Sequence, residues 1–462
     1  MAPGREPAGK LFLTQFTGNF RCRVPGYEFA KLSENADFGP GCFLLFFTLS
    51  ILRRIDAASH LFHRLPDTAD GMAVFEKFET MTTTTRENRL FYIDNLRIFC
   101  IALVVLHHLS ITYGASGDWM YVEGKPDSLL AQVSLILFTA TNQAFFMGLL
   151  FFVSTLFITT SYNRKGPGMF LRDRLIRLGI PTLAYYFLLG PFTAYIGYWF
   201  TSEDTDLLSF GHFLNEGWGR GFGPMWFVET LILFTFVYVL FRILKKSGLK
   251  RSEVAESMPE IWKIAVFVIC LGLCTGIVRT WYPVDRWLPH LHLQLAHFPQ
   301  YIAMMIAGVV AWQRGWLDSL SLRQGIGWFG FANLFILIFF PLLFIGGGAA
   351  SGVQEPFMGG WHWQNFGYSL YEQIVGISLM LGLLGLFRGL FNGQGKLIKA
   401  MSDSTYTVYI IHAIPILIVS WSFRDWQFPL LAKFAVLSLP TLMVSFLLGW
   451  LIRKLPLASK VI

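Results

Sequence analysis

Apolar residues in this chain come in runs too long for the core of a soluble domain, separated by short polar connections. Counting stretches near the roughly 20 residues needed to cross a bilayer predicts spans at about 96–113, 131–160, 176–201, 224–244, 261–282, 294–312, 325–346, 368–388, 404–422 and 428–452. The predicted fold class is therefore all-α, a polytopic membrane bundle of about ten transmembrane helices. The largest connections are about twenty residues, so any chemistry is expected within or at the edge of the bundle. No internal repeat, Gly-rich phosphate loop or appended soluble domain is visible.

Residues 1–85 break this pattern. The apolar stretch Cys42–Leu52 is too short to span and too far from the N-terminus for a signal peptide, and Met81 opens a segment, MTTTTRENRLFYIDNLR, that leads straight into the first span. The expected division is a weakly packed N-terminal extension (1–85), a transmembrane domain (86–455) and a short cytoplasmic tail (456–462). An interfacial helix over 42–54 is the alternative reading of the extension.

Charge then orients the bundle. Basic residues cluster before the first span (Arg86, Arg89), after the second (Arg164, Lys165, Arg172, Arg174, Arg177) and after the fourth (Arg242, Lys245, Lys246, Lys250, Arg251). They recur at Arg314 and Arg323, at Arg388, Lys396 and Lys399, and at Arg453 and Lys454. The alternate loops are acidic or near neutral, with Asp118, Glu123 and Asp127 in one and Glu203, Asp204, Asp206 and Glu216 in another. Asp285 and Arg286 cancel. Under the positive-inside rule this places both ends of the bundle in the cytoplasm and the protein in the cell membrane. It also explains the net charge of +8 without a nucleic-acid partner. The five cysteines have no metal or disulfide spacing; Cys270 and Cys274, one turn apart in an apolar run, read as lipid-facing or packing residues.

Few polar groups interrupt the spans, and these are the candidates for chemistry. Eleven residues separate Arg97 from His108, so they fall within about 20° of one helical face and about 16 Å apart along the axis. Arg97 lies at the cytoplasmic boundary and His108 near mid-membrane. Either His108 faces a functional cavity or it is bonded to a neighbouring helix. His107 points roughly 80° away and reads as a support. The ninth span carries His412 about 12 Å in from Ser404, at a depth comparable to His108, so the two imidazoles could share one cavity; a packing role, with Tyr406 and Tyr409 as hydrogen-bond partners, is the other reading. Arg174 and Arg177 form an i, i+3 pair suited to gripping phosphate oxygens, or an orientation signal with headgroup contacts. Asn142, Gln143, Glu229, His297 and Glu372 are further intramembrane polar groups, Glu229 being placed either to guide an acceptor or to be paired.

Five segments in this order resemble the membrane acyltransferase 3 family, which includes bacterial O-acetyltransferases of surface glycans and a glucan-succinylating branch. They are Tyr92-Ile93-Asp94-Asn95-Leu96-Arg97 with His108 at Arg-x10-His spacing; Phe151-Phe152-Val153-Ser154; Arg174-Leu175-Ile176-Arg177 with Pro181; Trp226-Phe227; and Ser404 to Pro415 with His412. Thr155 stands where the family often has Gly, which bears on packing more than on chemistry. The resemblance implies transfer of an acyl group, acetyl or succinyl, from cytoplasmic acyl-CoA to a hydroxyl of a carbohydrate or other envelope acceptor, with acyl-CoA as a donor substrate and no bound cofactor or metal. It implies His108 and Arg97 as catalytic residues, with His412, His107 and Glu229 in support and Arg174, Arg177 and Arg97 binding acyl-CoA. His108 would serve as a general base or as a transient acyl carrier. The competing class is a proton-coupled transporter or flippase of an envelope precursor, which predicts inverted repeats and broken helices in matching halves.

Overall fold

The structure is a computed structural model that describes residues 90–456, apart from 127, 203–208, 216–222, 246–247, 289–292 and 350–352, together with Ala458. The predicted N-terminal extension, Met81, Asp127, the acidic residues of 203–216 and Lys246 lie outside the described residues. The described part is helical, with no strands. Its helices are α1 (Phe91–Thr112), α2 (Leu129–Leu156), α3 (Ile158–Arg174), α4 (Ile180–Ala184), α5 (Gly190–Thr201), α6 (Phe210–Asn215), α7 (Trp226–Lys245) and α8 (Ile261–Trp281). There follow α9 (Phe298–Arg314), α10 (Trp316–Ser319), α11 (Leu322–Gly346), α12 (Glu355–Met358), α13 (Trp363–Leu390), α14 (Lys396–Ile411), α15 (Ala413–Ser422) and α16 (Leu430–Arg453).

Among the described residues, nine helical segments are long and apolar enough to cross a membrane, and ten when the bent pair α14–α15 counts as one span. This matches the spans expected from the apolar runs, because in hydrocarbon only a continuous helix satisfies every backbone N–H and C=O. Large apolar side chains face outward in rows, Leu334, Leu337 and Leu342 on α11 and Val436, Leu439, Met443 and Leu447 on α16. Water would not tolerate such a surface and lipid does. Cys270 and Cys274 lie on the exposed face of α8. The chain is a multi-span membrane protein.

Three departures from regular helix matter. The chain reverses inside α3 at Gly166, whose φ of 74° with Pro167 behind it breaks the run. Between α3 and α5 lie two π-helical turns, Leu175–Gly179 and Tyr185–Leu189; the wider turn spreads Arg174 and Arg177 further around the axis than α-helical spacing predicts. The third departure is a 75° bend between α14 and α15. Pro415 has no N–H and its ring crowds the carbonyl one turn back, so the helix breaks at His412.

Helices α1, α2 and α13 form the buried centre, with α9 against them. Small residues bring backbones close, as expected where lipid supplies no hydrophobic drive between helices. Gly325 of α11 faces Gly385 of α13, where a Cβ would stand 2.7 Å from the opposing backbone. A Cβ on Gly376 would meet the Ala144 carbonyl oxygen at 2.1 Å. Next to it Gln300 Nε2 donates to Ala144 O (2.8 Å) and Gln373 Oε1 (2.9 Å), tying α9 to α2 and α13. Gly376→Ala is therefore expected to lower the detergent unfolding midpoint, with a loss of about 1–3 kcal/mol; an unshifted midpoint would contradict this packing. Thr155 packs onto α9 at Gly308, where a Cβ would lie 2.2 Å from Thr155 Oγ1, so the threonine is accommodated by a glycine on the facing helix.

Candidate active site

The start of α1 is fastened to the α13–α14 connection. Asn95 Nδ2 donates to Phe391 O (2.5 Å) and Gly393 O (3.0 Å), and Gln394 Nε2 donates to Asn95 Oδ1 (3.0 Å). Arg97 lies on the same end, 3.4 Å from Asp94 Oδ1. The charges of Arg177 and Arg97 both act on Arg174, so the three arginines picked out by spacing do gather at one end of the bundle. The Arg174 guanidinium covers the Phe170 ring at 5.5 Å, and Tyr406 OH donates to Arg177 O at 3.1 Å. Arg242, counted as an orientation charge, is instead buried against Tyr238 OH and Asn163 Oδ1, both at 2.8 Å.

A cavity of about 660 Å³ lies toward the other end of α1. His107 and His108 line it, with Gln143, Trp226, His297, Tyr301, Tyr368 and Tyr409, and its mouth is formed by the loops carrying Ser116–Asp118, Val284–Trp287 and Gln354–Met358. Arg97, Arg174, Arg177 and Glu229 do not line it. His107, predicted to point elsewhere, reaches it because the cavity wraps around more of α1 than one face; its Nδ1 is buried with no partner among the described residues. Glu229 stands in the first turn of α7 with Oε2 likewise buried and without a partner among the described residues.

His108 and His412 meet. His412 Nε2 lies 2.9 Å from His108 Nδ1, and His412 Nδ1 lies 2.6 Å from Tyr409 O. The bend at His412 gives the Tyr409 carbonyl to the imidazole in place of the next helical N–H. A carbonyl only accepts, so His412 carries its proton on Nδ1 and its Nε2 accepts. His108 Nδ1 must then donate, which leaves a lone pair on His108 Nε2. That nitrogen has no protein partner among the described residues and opens to the cavity.

Trp119 stacks on one face of His108, its ring 4.1 Å away at 12°. The loop that delivers it turns at Gly114 and Gly117, with φ of 98° and 147°. Glu123 N donates to Thr112 O at 2.8 Å, and Glu123 pairs with the buried Lys433 of α16, whose Nζ also donates to Arg424 O at 2.9 Å. No periodicity singles out a loop tryptophan, so Trp119 was not foreseeable from the spans. Tyr409 was noted only as a hydrogen-bond partner; its hydroxyl donates to Pro224 O. Arg279 was also missed, although one signal existed: it is the lone charge in the apolar run from Ile264 to Trp281.

The site thus couples an oriented imidazole pair, His412 buried and His108 half-buried, to a cavity, with guanidinium groups gathered at the far end of the same helix. No curated protein and no solved structure matches the chain. The family profile of the acyltransferase 3 group, an acyltransferase domain, matches residues 90–450. It takes in the whole helical bundle, both histidines and all three arginines, and so this chain belongs to the acyltransferase 3 family of membrane acyltransferases.

Proposed function

We propose that the protein moves an acyl group, acetyl or succinyl, from cytoplasmic acyl-CoA to a hydroxyl of an envelope glycan or another envelope acceptor. The observation that carries this reading is the His108–His412 hydrogen bond, which turns an unshared electron pair on His108 Nε2 toward the cavity. His108 Nε2 takes the hydroxyl proton as the acceptor oxygen bonds to the thioester carbonyl carbon. The C–S bond breaks, the thiolate leaves, and the proton passes from His108 to the CoA sulfur. The second use of the same nitrogen is direct attack on the thioester to give an acyl-imidazole that the hydroxyl then resolves. Incubation with labelled acyl-CoA without acceptor, followed by acid quench, separates the two: covalent label on the protein marks the second path.

Arg97, Arg174 and Arg177 supply the donor end of the site. Arg97 is about 16 Å from His108 along α1, and the three guanidinium groups suit the phosphates of CoA. With both ends of the bundle in the cytoplasm and the protein in the cell membrane, the arginines face the CoA pool and the cavity mouth faces the acceptor. External cysteine labelling of the 114–130, 202–222 and 346–366 loops tests this orientation; labelling of 162–177 from outside reverses it.

Arg174→Lys and Arg177→Lys test the donor role, since Lys keeps the positive-inside charge but loses the bidentate fork. Each is expected to weaken acyl-CoA binding about tenfold without changing acceptor binding. Unchanged affinity for acyl-CoA in both variants would assign these arginines to orientation alone.

A further inference from the structure

Behind the cavity lining made by His297, Tyr301 and Tyr368 lies a charged cluster with no part in the steps above. Arg279 is fully buried near the end of α8, and Glu372 is buried on α13. Arg279 Nη2 donates to Glu372 Oε2 at 2.6 Å and to His297 Nδ1 at 3.2 Å. Its Nη1 donates to Ser369 Oγ and its Nε to Ala296 O, both at 3.3 Å. A buried ion pair is rarely a gain over apolar packing, and inside a membrane it marks a function by default. Its effect here falls on His297, the last residue of the 3-10 turn leading into α9.

A guanidinium has only donors, so His297 Nδ1 is held as an acceptor. Glu372 Oε1 is 3.7 Å from that nitrogen, beyond hydrogen-bond reach. The proton of His297 therefore resides on Nε2. That edge has no protein partner among the described residues, and His297 lines the cavity. The cavity thus presents an N–H donor on one wall and the His108 lone pair on another.

The remaining lining narrows what can bind between them. Trp226, Tyr301 and Tyr368 offer aromatic faces, and Tyr301 OH is oriented by Gln143 Nε2 at 3.3 Å. Asp118 and Asp285 stand exposed at the mouth, and no lysine or arginine lines the cavity among the described residues. Arg286 does not neutralise Asp285 there: its Nη1 donates to Trp281 O at 3.2 Å and its guanidinium lies over the Tyr282 ring at 5.7 Å. Among the described residues that line the cavity, an anionic ligand would meet two carboxylates and no lysine or arginine. A polyol finds an N–H donor inside, carboxylate acceptors at the rim and aromatic faces for its C–H surface.

Building on the acyltransfer reading, we propose that the acceptor is an uncharged polyhydroxylated molecule of the neutral saccharide class, and that His297, held by Arg279 and Glu372, positions it by donating Nε2–H to one of its oxygens. The test uses the purified full chain in detergent with labelled acetyl-CoA and succinyl-CoA. The probes are oligosaccharides extracted from the producing cells' envelope and divided by anion exchange into neutral and acidic pools. Label is expected in the neutral pool. His297→Phe is expected to raise the KM for that pool about five- to tenfold, leaving the KM for acyl-CoA unchanged. His297→Gln, which keeps an N–H near the Nε2 position, should restore most of the loss. His297→Asn, which moves the N–H back toward Nδ1, should not, and it serves if the phenylalanine variant does not fold. Label confined to the acidic pool, or a His297→Phe protein with wild-type KM for the neutral pool, overturns this proposal while leaving acyl transfer intact. Thioester cleavage with label in neither pool overturns the saccharide acceptor. A wild-type protein that cleaves no acyl-CoA at all refutes the underlying acyltransfer reading instead.

Discussion

Replacing His108 by alanine is expected to reduce acyl transfer by about 10²–10⁴-fold, the range a positioned proton acceptor contributes, while the protein still inserts and melts as before. The argument rests on one nitrogen. His108 Nε2 opens to the cavity only as a lone pair, because the Tyr409 carbonyl fixes the tautomer of His412 and His412 in turn fixes that of His108. His412→Phe keeps the His108 ring but releases its Nδ1 proton, so its loss should fall between wild type and His108→Ala. His107→Ala should cost least: its ring also lines the cavity, but it contacts His108 only edge-on, at 5.7 Å. Acyl transfer measured with labelled acyl-CoA checks all three, and a His108→Ala enzyme as active as wild type would end the mechanism.

The largest effect on stability is expected at Glu372. Glu372→Met leaves Arg279 charged, buried and without its carboxylate, which should lower stability by about 3–5 kcal/mol. Arg279→Met should cost a similar amount by stranding Glu372. The double variant removes both charges and is expected to recover much of the fold, since apolar side chains replace a buried pair with little penalty. Thermal unfolding of the four proteins closes the cycle. Additive losses would mean that the two residues do not act as a pair. The double variant also removes the donor that holds His297, so recovered folding without recovered acceptor binding is the expected signature.

The apolar runs made the bundle legible because a bilayer demands helices of nearly fixed length, and each predicted span has its helical counterpart. Depth was legible as well. Counting a fixed rise per residue put His108 and His412 at one level, and the two rings do meet. Rotation was less reliable, since His107 reaches a cavity broader than a single helical face. Arg97 shares a face with His108 yet keeps to the arginine end, as its 16 Å separation required. What could not be read were contacts made across the sequence by irregular backbone. Pro415 was visible, but the 75° bend that it permits was not. Trp119 sits in a loop shaped by two glycines with positive φ, and its partner is a helix face rather than a neighbour in sequence. Arg279 finds Glu372 93 residues later, a pairing that no local pattern encodes.

The His108–His412 bond joins residues 304 apart in sequence, and this separation dictates when the enzyme comes into being. At about 5–20 residues per second of synthesis, α1 waits some tens of seconds between the emergence of its histidine and the arrival of the imidazole that orients it. Throughout that interval the nascent chain holds an unpaired polar ring at membrane depth. The latch from Glu123 to Lys433 comes later still, on the final helix. A ribosome stalled before residue 412 is expected to leave the earlier spans inserted and His108 without the partner that orients it.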